Sequence, residues 1–113
     1  MAVNKVDIKR IDDAKAVEFI PGIFRRTLVY NDQLMLCHFT LTKGATIPLH
    51  NHKAVQNGYV IKGKVKFIKE SLSFIAEAGC GYCFDSEERH GAEILENSEF
   101  IECFSPLRNE YID

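Results

Sequence analysis

The chain has 113 residues, 46% of them hydrophobic and 27% charged, with a formal net charge of −2. This length supports one hydrophobic core and not two, and the composition is that of a globular domain. Acids and lysines are mixed along the chain, which argues against a nucleic-acid binder, and no run approaches the roughly 18 consecutive apolar residues of a membrane helix.

The N-terminal MAVNKVDIKRIDD is broken by charges too often for a signal peptide, so the cytoplasm is the expected compartment. From Val6 to Phe19 the reading is open: Ile11–Val17 fits one helical turn or part of an edge strand. Pro21-Gly22 is the first clear breaker. Ile23–Tyr30 reads as a strand, Asn31-Asp32 as a turn and Gln33–Leu41 as a returning strand. On that strand Leu34, Leu36, His38 and Thr40 share one face, and Met35, Cys37, Phe39 and Leu41 the other. Both are largely apolar, so one covers a core and the other a second sheet or a second subunit.

Thr42-Lys43-Gly44 then turns the chain into GATIPLHNHKAVQNGYVIKG, residues 44–63. Side chains two apart on a strand share a face, so His50 and His52 point one way and Asn51 the other. Two such imidazoles can close on one metal ion at about 2.0–2.1 Å. Gln56 can add an amide oxygen if the chain returns it to the same centre.

Asn57–Lys62 and Lys64–Lys69 flank Gly63 as an expected hairpin, and Lys64-Val65-Lys66-Phe67 alternates with the period of a half-buried strand. The lysines at 62, 64, 66 and 69 read as its wet face rather than a phosphate patch. Leu72–Ala76, Tyr82–Phe84, Ala92–Leu95 and Glu99–Phe104 complete the set, with Glu96-Asn97-Ser98 as a further hairpin turn. Short strands every 8–12 residues or so, separated by turn signals, indicate an all-β sandwich or barrel.

Two further stretches carry chemistry. His90 follows His52 by 38 residues, far enough to sit on a facing strand and complete a three-histidine site, or else to lie on the surface of the loop Asp85-Ser-Glu-Glu-Arg-His. Glu102 lies between Phe100 and Phe104 on one strand face. Inside, it needs a cation or a hydrogen-bonding partner, which a metal or Arg108 would supply. Alternatively Ile101 and Cys103 face inward and Glu102 lies in water. The cysteines at 37, 80, 83 and 103 read as reduced structural thiols, since Cys80-Gly-Tyr-Cys83 has no second pair to form a zinc site.

The run Gly44…His50-x-His52…Gln56…Gly63 resembles the first cupin motif: a glycine, five residues, His-x-His, a carboxylate, six residues and a glycine. Gln56 stands where most cupins have glutamate. Gly79 and His90 match the ends of the second motif, while Asp85 and Glu87 replace its proline and glycine, departures that concern loop geometry more than ligation. The resemblance implies a small single-domain cupin β-barrel, a double-stranded β-helix or jelly roll, with His90 as a ligand. Residues 1–22 are expected to form an edge strand or dimerisation segment, 23–104 the barrel and 105–113 a C-terminal tail.

Gln56-x-Gly-Tyr-Val-Ile-x-Gly and Phe104-Ser-Pro-Leu-Arg-x-Glu-Tyr are in turn similar to the small pectin-degradation cupins. These convert 4,5-unsaturated uronate monosaccharides to the linear keto form. The likeness implies one divalent ion per chain (Ni, Zn, Mn, Fe or Co) held by His50, His52, Gln56 and His90. It further implies a small anionic substrate handled by Phe104, Arg108 and an acid at 102, where glutamate replaces the family's aspartate.

Three neutral imidazoles and an amide leave a divalent charge uncancelled, which suits anionic oxygen ligands. The expected activity is a non-redox ring opening or isomerisation of an unsaturated sugar acid. An Fe(II)-dependent dioxygenase and a non-catalytic metabolite-binding module are the alternatives, because imidazole ligands suit several metals. The apolar second face of 33–41 and the expected N-terminal strand suggest a homodimer.

Overall fold

The computed structural model describes residues 7–113; residues 1–6, with the start of the ambiguous N-terminal stretch, lie outside the described residues. Ten strands follow in order: β1 (Ala16–Ile20), β2 (Ile23–Tyr30), β3 (Met35–Leu41), β4 (Thr46–His50), β5 (Val55–Lys62), β6 (Lys64–Ile68), β7 (Ser73–Glu77), β8 (Gly81–Phe84), β9 (His90–Ile94) and β10 (Ser98–Ser105). They form two antiparallel sheets, one ordered β1-β2-β3-β10-β5-β8 and the other β4-β9-β6-β7. From β3 onward the chain crosses between sheets at every connection except β6–β7. That alternation wraps the strands into a jelly-roll barrel. No described helix is long and apolar enough to cross a membrane.

Both halves of the N-terminal reading are present, in sequence: a 3-10 turn at Ile11–Asp13, then β1 on the edge of the larger sheet. The two expected hairpins at Gly63 and at Glu96-Asn97-Ser98 are not hairpins. β5 pairs with β10 and β8, whereas β6 pairs with β7 and β9. Gly63, at φ +96°, carries the chain from one sheet to the other, and a Cβ there would lie 2.1 Å from Ser98 Oγ. Ser98 Oγ accepts from the Lys64 amide at 3.1 Å and donates to the Glu96 carbonyl at 2.6 Å, so it ties the two crossings together. Alternation assigns faces to a strand but does not choose its partner.

The core lies between the sheets. Met35, Cys37, Phe39 and Leu41 of β3 all face it, as do Val65 and Phe67 of β6 and Phe100 and Phe104 of β10. Burying such a side chain stabilises the fold by about 1.5–3 kcal/mol. Phe67 is central, with ring centroids 4.4 Å from Tyr82, 5.5 Å from Phe84 and 5.6 Å from Phe74. The other face of the 33–41 stretch is mixed: Leu34, just before β3, and Thr40 are exposed, while His38 is buried and donates to Glu99.

Residues beyond β10 fold back over this interior. A 3-10 turn at Asn109–Tyr111 sets the Tyr111 ring 5.4 Å from Phe104 and 6.3 Å from Phe39. Thr27 Oγ1 donates to the Tyr111 carbonyl at 2.6 Å, and the buried Arg25 guanidinium pairs with Asp113.

Candidate metal centre

β4 ends at His50, so His52 lies two residues beyond the strand rather than on its face, and Asn51 turns outward to bond Glu87. His90 opens β9 directly opposite His50 in the β4–β9 ladder. The three rings converge, with centroids 4.4 Å apart for His50–His90, 5.1 Å for His52–His90 and 5.5 Å for His50–His52. One ligand atom from each lies within 4.8 Å of the others. Among the described residues this is the group of three or more potential ligands so placed, and it includes no cysteine.

Each ring is held from behind. Nδ1 of His50, His52 and His90 donates to the carbonyls of Pro48, Ala54 and Glu88 at 3.0, 2.7 and 2.7 Å. A proton on Nδ1 leaves the Nε2 lone pair free. Nε2 of His52 and of His90 is buried and has no hydrogen-bond partner. Buried polar atoms without partners need an explanation, and backbone-anchored imidazoles aimed at one point fit a cation.

Burial, reinforced by the charges of His50 and His52, pushes His90 down to about 4 against the pull of the Glu88 carbonyl. Burial and the Arg108 charge lower His52 too. Both rings are therefore neutral at pH 7, the form that ligates metal. Phe84 stacks on His90 at 4.3 Å with an interplanar angle of 7°.

Gln56 faces inward from β5, and its Nε2 donates to Glu102 Oε2 at 3.0 Å. The two sequence readings of Glu102 are thereby resolved. It is inside, 7% exposed, and Ile101 and Cys103 are on the outer face of β10. Its partner is not Arg108: the Tyr82 hydroxyl donates to Oε2 at 2.5 Å, alongside Gln56. Burial pushes Glu102 up to about 7 even though Tyr82, the Arg108 charge and Gln56 each oppose it.

Arg108 donates from Nη1 to the Tyr111 hydroxyl at 3.0 Å, and its guanidinium lies 4.3 Å from the Tyr111 ring and 5.4 Å from the Phe104 ring. Its Nε is buried and unpartnered. His50, Gln56, His90, Glu102, Phe104 and Arg108 line one small, partly open cavity of about 50 Å³. The rest of the wall is mainly aromatic and aliphatic, and it includes Tyr111.

Sequence reasoning missed Tyr82 and Tyr111. Tyr82 alternates with Phe84 on a short strand and reads as core; only the register to Gly58 and Glu102 shows where its hydroxyl goes. The four cysteines are free; burial raises Cys37 to about 12, so it is an inert thiol.

The Cupin domain family profile matches residues 37–101, more than half of the chain, and the chain belongs to the cupin family. It is 31% identical over 103 residues to the pectin degradation protein KdgF of Dickeya dadantii (strain 3937), a match covering 89% of this chain and 94% of that one. The structure of KdgF from Halomonas sp. is similar with a TM-score of 0.87 at 27% identity, over 94% of this chain and 100% of that one. An RmlC-like cupin of Shewanella frigidimarina NCIMB 400 shares the fold, with a TM-score of 0.89 at 22% identity and 98% of each chain covered.

Proposed function

We propose that this cupin binds one divalent metal ion through His50, His52, Gln56 and His90 and opens the ring of a 4,5-unsaturated uronate to the linear keto acid. The observation that carries the reading is one cavity lined by His50 and His90 of the histidine cluster together with the buried Glu102, with an arginine on its wall. Likeness to two KdgF proteins, one of them named as a pectin degradation protein, supports a uronate-type substrate.

A bound divalent ion would act as a Lewis acid toward the substrate's oxygens. Arg108 offers its buried, unpartnered Nε to a carboxylate. Phe104 supplies an apolar wall against one face of the sugar. Glu102 handles the proton: O1–H is lost, the C1–O5 bond breaks, C5 becomes a ketone and a proton arrives at C4. The reaction is a net isomerisation with no oxidant, and a carboxyl near pKa 7 can both take and give that proton. Leu34, Val55, Tyr59 and Ile61, exposed on the larger sheet's outer side, support the homodimer as part of the same reading, with residues 1–22 as its dimerisation segment.

The test is metal analysis of the purified protein, then NMR of 4,5-unsaturated galacturonate incubated with it. Near one metal per chain and loss of the vinyl C4 proton faster than in buffer support the proposal. Loss at the buffer rate removes the uronate, and oxygen uptake with candidate substrates then tests the dioxygenase alternative.

A further inference from the structure

Tyr82 belongs to none of the sequence motifs, yet it is one of two groups that fix Glu102. It faces inward from β8, 7% exposed, with ring centroids 4.4 Å from Phe67 and 5.8 Å from Phe100. Gly58 on β5 is paired with Tyr82 on one side and Glu102 on the other. A Cβ at Gly58 would lie 2.4 Å from both Cζ and the hydroxyl oxygen of Tyr82. The missing side chain is the space through which the phenol reaches across β5 to the carboxyl. Burial keeps the hydroxyl well above its usual pKa, so it stays a donor.

Both Tyr82 and Gln56 donate to the same oxygen, Oε2. No donor among the described residues bonds Oε1, and Glu102 lines the cavity. The last torsion of a glutamate is broad and roughly two-fold, so a lone carboxyl would present either oxygen. Two donors on one oxygen remove that freedom.

We infer that Tyr82 is a positioning residue: with Gln56 it pins Oε2 of Glu102, so that Oε1 is the oxygen turned toward a bound substrate. The same contact orients Gln56. With its amide nitrogen on Glu102, the amide oxygen faces away from the carboxyl, as a metal ligand requires.

The inference rests on the proton-transfer role proposed for Glu102, and its test separates the two. Tyr82→Phe keeps the ring and its packing and removes the hydroxyl. On zinc-loaded protein, the carbon-13 resonance of Glu102 Cδ and the nitrogen-15 resonance of the Gln56 side chain are followed, together with kcat and KM for 4,5-unsaturated galacturonate. Both resonances are expected to shift, and kcat to fall roughly 10- to 100-fold. KM should stay within about twofold, because the hydroxyl does not hold substrate.

Unmoved resonances, or an unchanged kcat, overturn the inference. If the wild type itself does not turn over the uronate, the functional reading fails and the resonances alone decide: a shift upholds Tyr82 as the group that sets Glu102, and no shift removes it. Should Tyr82→Phe not fold, site-specific 3-fluorotyrosine at 82 changes the donor strength with little change of shape, and the same two resonances give the answer.

Discussion

The backbone amide of Glu87 donates to the carbonyl of His52 at 2.8 Å, and Glu87 does so at φ +62°. This bond joins the loop before His90 to the loop that carries His52. Asn51 reinforces it with a bond to Glu87 Oε1 at 2.9 Å. The second cupin motif places glycine here, and the conformation is the left-handed one that glycine adopts freely. The backbone has kept the shape, and a glutamate pays the strain in return for a side-chain clasp.

Glu87→Gly should therefore leave stability within about 1 kcal/mol, since relieved strain and the lost clasp oppose each other. Glu87→Val, β-branched at a positive φ, should lose roughly 1–3 kcal/mol and weaken metal binding by displacing His52. Urea unfolding and a zinc titration of both variants check this.

Gly58→Ala should be destabilising. Its Cβ would meet the Tyr82 phenol at 2.4 Å and the Ile101 carbonyl at 2.8 Å, and the carbonyl belongs to a strand that cannot yield. A loss of about 1–3 kcal/mol is expected from overpacking, together with a fall in kcat as the phenol is displaced. A variant as stable and active as the wild type would show that β5 and β8 separate easily.

Glu102→Gln should stabilise the chelator-treated protein at neutral pH. Burial raises the folded carboxyl from 4.5 to about 7. A raised folded value means that this group's contribution is fully present below pH 4.5 and is lost as pH rises through 7. Wild-type stability should thus fall relative to Glu102→Gln across that window, by on the order of 2–3 kcal/mol. Urea unfolding of both proteins at pH 4.5 and 7.5 measures it. Parallel curves would mean that the carboxyl is better solvated than the cavity implies, and the same variant should lose activity.

Native alkylation should divide the cysteines. Cys80 and Cys83 are exposed and should react with iodoacetamide at pH 8, with Cys103 slower because partial burial raises its pKa. Cys37, buried against Thr27 and raised to about 12, should react only on unfolding. Peptide mass spectrometry reads the pattern directly, and early labelling of Cys37 would show that the barrel opens.

His90→Ala should abolish stoichiometric metal binding, because it removes an unpartnered Nε2 and leaves two imidazoles. Gln56→Ala should weaken binding less, by roughly 10-fold, since an amide oxygen is a weaker ligand for such ions than imidazole. Metal content after dialysis against a mild chelator distinguishes the two.

The class of fold was legible because strand alternation and turn residues are local signals. Met35, Cys37, Phe39 and Leu41 read as one face and are one face. His50, His52 and His90 could be proposed together because the spacing of two motifs carried them. The hairpin reading at Gly63 failed for the converse reason. A glycine between two alternating runs looks the same whether the chain folds back on its neighbour or crosses to another sheet, and only the partners β10 and β9 distinguish the cases.

Composition and periodicity thus determined a one-core β protein, and the two motifs determined its family likeness and its candidate ligands. The tertiary structure decided the rest of the site. Whether Glu102 faced in or out depended on the register of β10 against β3 and β5, a long-range pairing that a period of two leaves undetermined. Its partners, Tyr82 and Gln56, lie 20 and 46 residues away in sequence, and they meet it because Gly58 leaves room between the strands. A hydrogen bond across such distances is fixed by packing, and packing exists only once both sheets have closed on the core.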